Sequence, residues 1–99
     1  MKLNPRRALE VVREIAKDSG RVVMLPHARK RMSERKISLT QILRCLEKGA
    51  VVEGPARSAN GNWELKLEDC YAGEVIQVVL ALDNDKAGNK ILVITVITL

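Results

Sequence analysis

The hydrophobic periodicity of the sequence changes near residue 50. Before that point, apolar residues recur every three or four positions, which is the spacing of one helical face. An example is the set Ala8, Val11, Val12 and Ile15. After that point, apolar and polar residues alternate, as in "NWELKLEDCY" over residues 62–71. Alternation indicates a strand with one face in solvent. The chain is therefore predicted to be an α+β protein in which helices precede most of the strands.

Capping residues and prolines mark the helix starts. Asn4 followed by Pro5 predicts a first helix over residues 5–18, because an Asn side chain caps the first amides and Pro is tolerated in the first turn. Pro26 begins a second helix in the same way and places His27 in its opening turn. That placement exposes the imidazole near a helix N-terminus.

The third helix has the clearest signals. Ser38 and Gln41 are three residues apart and predict a capping box, in which each side chain bonds to the backbone of the other residue. Gly49 ends the helix, as glycine commonly does. The helix therefore spans the residues between them.

The remaining segments predict strands and one loop. Residues 21–25 are apolar and β-branched, which favours a short strand before the second helix. Three more strands form an antiparallel meander over residues 62–71, 74–83 and 90–99. Residues 53–61 contain two glycines, one proline and one asparagine, and they predict a mobile loop that carries Arg57. The last strand is apolar on both faces, so it should be central or covered by helices.

The predicted fold is thus helix, strand, helix, helix and three strands, with an antiparallel sheet and helices on one of its faces. A length of 99 residues suits one domain. The sequence has no apolar run approaching the roughly 20 residues of a membrane span, so no membrane association is expected and the cytoplasm is the expected compartment. Cys45 and Cys70 lack the further ligands of a zinc site and are expected to be buried thiols. No metal or other cofactor is predicted.

Positive charge is concentrated in one short segment. The net charge is +5, and residues 27–36 contribute five cations against the single carboxylate of Glu34, a local balance of +4. The other 89 residues therefore carry only +1. A concentrated positive patch attracts polyanions, most commonly phosphate backbones. RNA or another polyanion is the predicted partner.

The same segment holds the only histidine of the sequence. His27, Arg31 and Arg35 recur at intervals of four residues, so a helix places them on one face. Cleavage of RNA by its own 2′-hydroxyl needs a base, an acid and positive charge beside the phosphate. Imidazole ordinarily titrates near neutral pH and serves as base or acid, while guanidinium groups hold phosphates. The alternative is structural: the histidine caps the helix, and the arginines pair with Glu34 or cover the edge of the core.

Three further residues are candidates for RNA or phosphate binding. Arg57 and Lys66 extend a basic groove in this interpretation, and Trp63 stacks on a base. The alternatives are a solvated surface for the two cations and a core anchor for the tryptophan. Trp63 and Tyr71 are the only aromatic residues, so a stacking platform for several bases is not expected.

The sequence also resembles family 4258 of domains of unknown function, which are small bacterial proteins. The resemblance rests on "HARKRMSERKIS" over residues 27–38, on the helix and late strands that follow, and on "VITV" near the end. Its most specific part is the pattern His27, Arg31, Met32, Arg35, Ile37 and Ser38. The resemblance covers residues 21–98, so residues 1–20 are expected to be an added helix on a single domain that spans residues 1–99.

The resemblance implies a fold and an activity. The element order of that family is similar to RelE-type toxins, and related domains occur at the ends of bacterial polymorphic toxins. This implies a metal-independent endoribonuclease, in which a helical histidine or basic residue acts across a sheet from a Ser or Thr on a late strand. His27, Arg31 and Thr95 match that arrangement and are the predicted catalytic residues.

Two functions are therefore predicted as alternatives. The first is a toxin-like RNA-binding protein and candidate endoribonuclease centred on His27 and Arg31. The second is a non-catalytic interaction module whose basic helix binds an acidic protein, such as an antitoxin-like partner, or binds nucleic acid without cleaving it. The absence of a second obvious acid or base favours the second function. The oligomeric state is left open, although an apolar last strand is able to pair across a dimer.

Overall fold

The computed structural model describes residues 3–59, 61–85 and 88–99. The three predicted helices are present as α1 (Pro5–Ala16), α2 (Pro26–Arg35) and α3 (Leu39–Lys48). Asn4 caps α1 by accepting a 2.8 Å hydrogen bond from the Arg7 amide. Ser38 and Gln41 form the complete capping box of α3. Among the described residues, no helix combines the length and apolar character needed to cross a membrane.

Five strands form one mixed sheet. They are β1 (Val22–Met24), β2 (Ala50–Arg57), β3 (Trp63–Tyr71), β4 (Glu74–Asp85) and β5 (Gly88–Thr98). Their spatial order is β1-β5-β4-β3-β2. The β3–β4 and β4–β5 pairs are antiparallel, as predicted, and β2 adds an antiparallel pair with β3 that was not predicted. Strand β1 pairs with β5 in parallel through three residues. The apolar strand β5 therefore lies inside the sheet, between β1 and β4.

The prediction of a loop over residues 53–61 is wrong for its first half, because residues 53–57 belong to β2. Gly54 and Pro55 are typical loop residues, but β2 is an edge strand, where a proline needs no partner for its missing N–H. Two irregularities in the register with β3 accommodate them. Gly54 has a φ of +82°, and a Cβ there would lie 2.7 Å from the carbonyl oxygen of Glu64. Glycine fits here because it adopts a positive φ without strain and has no Cβ to clash with that oxygen.

Helices cover one face of the sheet, which confirms the α+β class. The core contains the following buried residues of α1, α3 and the strands: Ala8, Val12, Ile15, Ile42, Cys45, Leu46, Leu65, Leu67, Ile76, Val78, Leu80, Ile91, Val93 and Val96. Helix α2 adds Ala28, which is fully buried. The opposite face carries Lys66, Val79 and Thr95 in one row across β3, β4 and β5.

Candidate nucleic-acid interface

A cleft lies between the second helix and the last strand, and we call it the α2–β5 cleft. It has a volume of about 380 Å³ and is lined by His27, Arg31 and Arg35 of α2 and by residues 95–98 of β5. The cleft exists because β1 ends early. The amide of Leu25 donates to the carbonyl oxygen of Val93 at 3.0 Å, and Pro26 then begins α2. Within the described residues, no strand pairs with β5 beyond Val93 on this side.

Helix α2 directs its cations outward because its other face is anchored. Ala28 is fully buried and Met32 packs against the core. The guanidinium of Arg29 donates to the carbonyl oxygen of Met24 at 3.2 Å, which ties the start of the helix to β1. The remaining face is polar, and its residues at four-residue intervals line the cleft.

Arg31 has a carboxylate partner, as the structural interpretation of the segment predicts. Its Nη1 lies 3.5 Å from Oε1 of Glu34, and the two side chains are 39% and 47% exposed. An exposed pair of this kind contributes only a few tenths of a kcal/mol, so the guanidinium is still able to bind a phosphate. In the described part of the chain, His27 and Arg35 have no hydrogen-bond or ion-pair partner through their side chains.

A β-bulge determines where Thr95 lies. Val79 pairs with Thr95 whereas Leu80 pairs with Val93, so Ile94 is an extra residue in β5. In a regular strand, Thr95 would share the buried face with Val93, since side chains alternate. The bulge moves Thr95 to the uncovered face and places Val96 in the core instead.

The structure therefore brings His27, Arg31, Arg35 and Thr95 together in one cleft. An imidazole supplies a group for proton transfer, two guanidinium groups supply donors for a phosphate, and a hydroxyl supplies one further donor. This set supplies donors for an anionic group such as a phosphate ester.

Comparison with protein families gives one match. The family model described as a domain of unknown function, DUF4258, matches residues 24–98, about three quarters of the chain. The chain belongs to the DUF4258 family. Comparisons with curated proteins and with solved structures found no match. The matched region contains the whole α2–β5 cleft of this DUF4258 protein, and α1 lies outside it.

Arg57 and Trp63 lie away from the cleft in this DUF4258 protein. They are paired residues of β2 and β3, on the far side of the sheet. The guanidinium carbon of Arg57 lies 4.7 Å from the Trp63 ring centroid, and its Nη1 donates to the carbonyl oxygen of Gly61 at 3.1 Å. The structure thus joins the two residues to each other and not to His27.

Lys66 is also separate from the cleft. It shares the uncovered face with Thr95, but β4 lies between them, so they are about 10 Å apart at two strand spacings. Its Nζ lies 3.0 Å from Oε2 of Glu53, and both Glu53 and Glu64 line the cavity beside it. The carboxylates outnumber the cation there, so Lys66 does not extend the basic surface of the cleft.

The two cysteines differ, which corrects the prediction that both are buried. Cys45 is fully buried and Cys70 is exposed, and both are free thiols. Burial and the nearby Asp69 carboxylate raise the pKa of the Cys45 thiol to about 12. Cys45 is therefore a protonated core residue at neutral pH and does not act as a nucleophile. Among the described residues, no three His, Cys, Asp or Glu side chains are grouped to hold a metal ion.

Sequence reasoning missed a second cavity that adjoins the cleft. We call it the turn cavity, because it includes residues of the turn between β3 and β4. It has a volume of about 180 Å³ and shares Arg35 and Thr98 with the α2–β5 cleft. Glu74 and the buried Ile37 and Ile76 also line it. Only the turn itself has a sequence signal, in Gly73, and that signal does not indicate a cavity.

Proposed function

We propose that this protein binds RNA in the α2–β5 cleft and cleaves it without a metal, as a toxin-like endoribonuclease. The supporting observation is that the single histidine of the sequence shares a solvent-open cleft with two arginines and a threonine. The likeness to RelE-type toxins stays a prediction, since no solved structure matches. The cytoplasm is the proposed compartment, where free thiols such as those of Cys45 and Cys70 are usual.

The proposed reaction is attack of a ribose 2′-oxygen on the adjacent phosphorus, with loss of the P–O5′ bond. His27 accepts the 2′-hydroxyl proton, the departing 5′-oxygen takes a proton from water, and the hydroxide so formed takes the proton back from His27. Arg31 and Arg35 stabilise the additional negative charge on the phosphorane, and Thr95 donates a hydrogen bond to a phosphate oxygen. The products are a 2′,3′-cyclic phosphate and a 5′-hydroxyl.

A second candidate is the non-catalytic interaction module. One observation favours it: among the described residues that line the cleft, His27 is the sole ordinary proton-transfer group, without a carboxylate, lysine or second histidine. In this function the basic face of α2 binds nucleic acid without cleavage, or binds an acidic, antitoxin-like protein. Such binding is strongly weakened by salt.

A cleavage assay separates the two candidates. Labelled single-stranded RNA is incubated in EDTA with the native protein and with His27→Ala, Arg31→Ala and Lys30→Ala variants. Lys30 is the matched control, because it is an exposed cation on the same helix that does not line the cleft. The enzyme proposal expects cyclic phosphate termini with the native and Lys30→Ala proteins, and loss of scission in the other two variants.

Two other outcomes reject the enzyme. Salt-sensitive RNA binding without scission leaves the interaction module. If the protein neither binds nor cleaves the RNA, RNA is rejected as the ligand. An acidic protein partner then remains. RNA with 2′-deoxyribose at every position is the substrate control, since scission of that strand would exclude attack by a 2′-hydroxyl.

A further inference from the structure

The turn cavity contains the components of a nucleobase site. A cavity of about 150 Å³ in a protein interior accepts a benzene ring, so the turn cavity, which has a volume of about 180 Å³ and opens to solvent, admits one ring of a base while the rest of that base lies at its mouth. Ile37 and Ile76 are 6% and 4% exposed and supply apolar contacts for the face of a ring. Extruded bases are commonly held between apolar or aromatic side chains in this way.

The carboxylate of this cavity belongs to Glu74, an exposed residue beside the turn between β3 and β4. Ala72 and Gly73 have φ values of +53° and +82°, which is the pattern of a tight two-residue hairpin turn. Glu74 follows directly and pairs with Tyr71 across that hairpin. Oε2 of Glu74 also accepts a hydrogen bond from Nε2 of Gln41 at 3.3 Å. This leaves Oε1 of Glu74 without a protein partner in the described residues.

The cavity is adjacent to the proposed phosphate site. Arg35 and Thr98 line both spaces, so a ligand in the turn cavity and a ligand in the α2–β5 cleft would contact the same two residues. A carboxylate only accepts hydrogen bonds, and it accepts two parallel ones well. Among the four RNA bases, guanine presents two neighbouring N–H donors, at N1 and N2, on its Watson–Crick edge.

We propose that the turn cavity binds one guanine base of a single-stranded RNA, with Glu74 accepting its N–H groups and Arg35 holding the neighbouring phosphate. This inference rests on the proposed RNA binding and adds the base that is recognised. The RNA is single-stranded because the Watson–Crick edge of a base in a duplex is already paired. The guanine is recognised by a side chain outside the cleft, so recognition and phosphate binding are separable.

The test compares short RNAs that differ at one base. The probes are oligoadenylates with 2′-fluoro riboses, which remove the attacking hydroxyl, and one central position is guanosine, inosine or adenosine. Binding is measured by fluorescence anisotropy at fixed salt. The guanosine probe is expected to bind about tenfold more tightly than the adenosine probe. Inosine, which lacks the N2 amine, should fall between them.

Two variants identify the residue responsible. Glu74→Gln should abolish the preference for guanosine, since the amide replaces one acceptor by a donor. Loss of the carboxylate charge should change adenosine binding by no more than about twofold. Glu47→Gln, an exposed carboxylate on α3 outside the cavity, should keep the preference. Annealing the complementary strand should remove the preference as well.

The failures are distinguishable. Equal binding of the guanosine and adenosine probes, with affinity still dependent on Arg35, overturns the guanine site and leaves the proposed RNA binding intact. A preference that survives Glu74→Gln also overturns the assignment. No binding of any probe overturns the site together with the proposed function.

Discussion

The α2–β5 cleft and the β2–β3 side, which is the part of the sheet near its opposite edge, both carry cations. Those cations have different surroundings. In the α2–β5 cleft, Arg35 has no partner among the described residues, and Arg31 has one exposed carboxylate partner 3.5 Å away. On the β2–β3 side, Lys66 is paired with Glu53 and Arg57 lies over Trp63. A cation in a strand has cross-strand neighbours about 5 Å away, whereas cations on an outer helix face have mainly solvent. The sequence predicts Arg57 and Lys66 as cations of the same groove, but it gives no local sign of the cross-strand neighbours that these two residues have.

The largest expected effect comes from removing the cations of the cleft. The double variant Arg31→Ala/Arg35→Ala should weaken single-stranded RNA binding about tenfold or more, and the slope of log affinity against log salt should fall by about 1.4. The matched double variant Arg57→Ala/Lys66→Ala removes the same charge and should change the affinity less than about twofold. Anisotropy titrations across a salt series measure both. A larger loss in the second variant would reverse the comparison of the two sides.

The next effect uses Cys45 as an internal probe of the acidic β3 side. Burial and Asp69 raise the pKa of its thiol to about 12 from 9.0. Above pH 9 the thiol ionises in the unfolded chain and stays protonated in the folded one, so the free energy of unfolding falls as pH rises, by about 1 kcal/mol per pH unit. This contribution is fully present below pH 9.

Urea unfolding between pH 8 and 10.5 tests this alkaline loss. Cys45→Ala should lower stability at pH 8 and flatten the alkaline decline relative to the native protein. The control Cys70→Ala, at an exposed thiol, should keep the native slope. Identical slopes for all three proteins would show that Cys45 ionises normally in the folded state.

A smaller effect on RNA affinity should follow from neutralising the carboxylates of the β2–β3 side. Glu53→Gln/Glu64→Gln removes two carboxylates from the cavity that Lys66 lines, and the released lysine should increase RNA affinity about two- to threefold at low salt. The gain should disappear at high salt and in the added presence of Lys66→Ala. An unchanged affinity at low salt would mean that these carboxylates do not prevent Lys66 from binding RNA.

The smallest expected effect is at the ion pair inside the cleft itself. Glu34→Gln removes the partner of Arg31 and should raise RNA affinity by no more than about twofold, while the free energy of unfolding changes by less than about 0.5 kcal/mol. Anisotropy and urea unfolding provide the two readouts. A gain of tenfold would mean that the pair holds Arg31 away from RNA in the native protein.

Much of the fold was predictable because its signals are local. The capping box of α3 and the proline at the start of α2 involve residues within four positions of one another, and both are confirmed. Strand β2 was missed because Gly54 and Pro55 indicate a loop locally, and only its position at the sheet edge makes a strand tolerable. The parallel pairing of β1 with β5 is likewise a long-range property.

The candidate site could be predicted only for the residues that lie on one helix, α2. The spacing of His27, Arg31 and Arg35 follows from helical geometry alone. The position of Thr95 depends on the bulge at Ile94, and no residue in "VITV" signals that bulge. The turn cavity depends on the distant meeting of α2, the β3–β4 turn and the end of β5, so its residues have no common sequence signal.

The most direct test of the central claim is a backbone amide NMR titration with a short single-stranded RNA. The α2–β5 cleft as the RNA site predicts that the strongest shift changes fall on residues 27–35 and 95–98. Residues 50–57 and 63–66, which lie toward the opposite edge of the sheet, should be nearly unaffected. Changes concentrated on those β2 and β3 residues, or no changes at saturating RNA, would contradict the account.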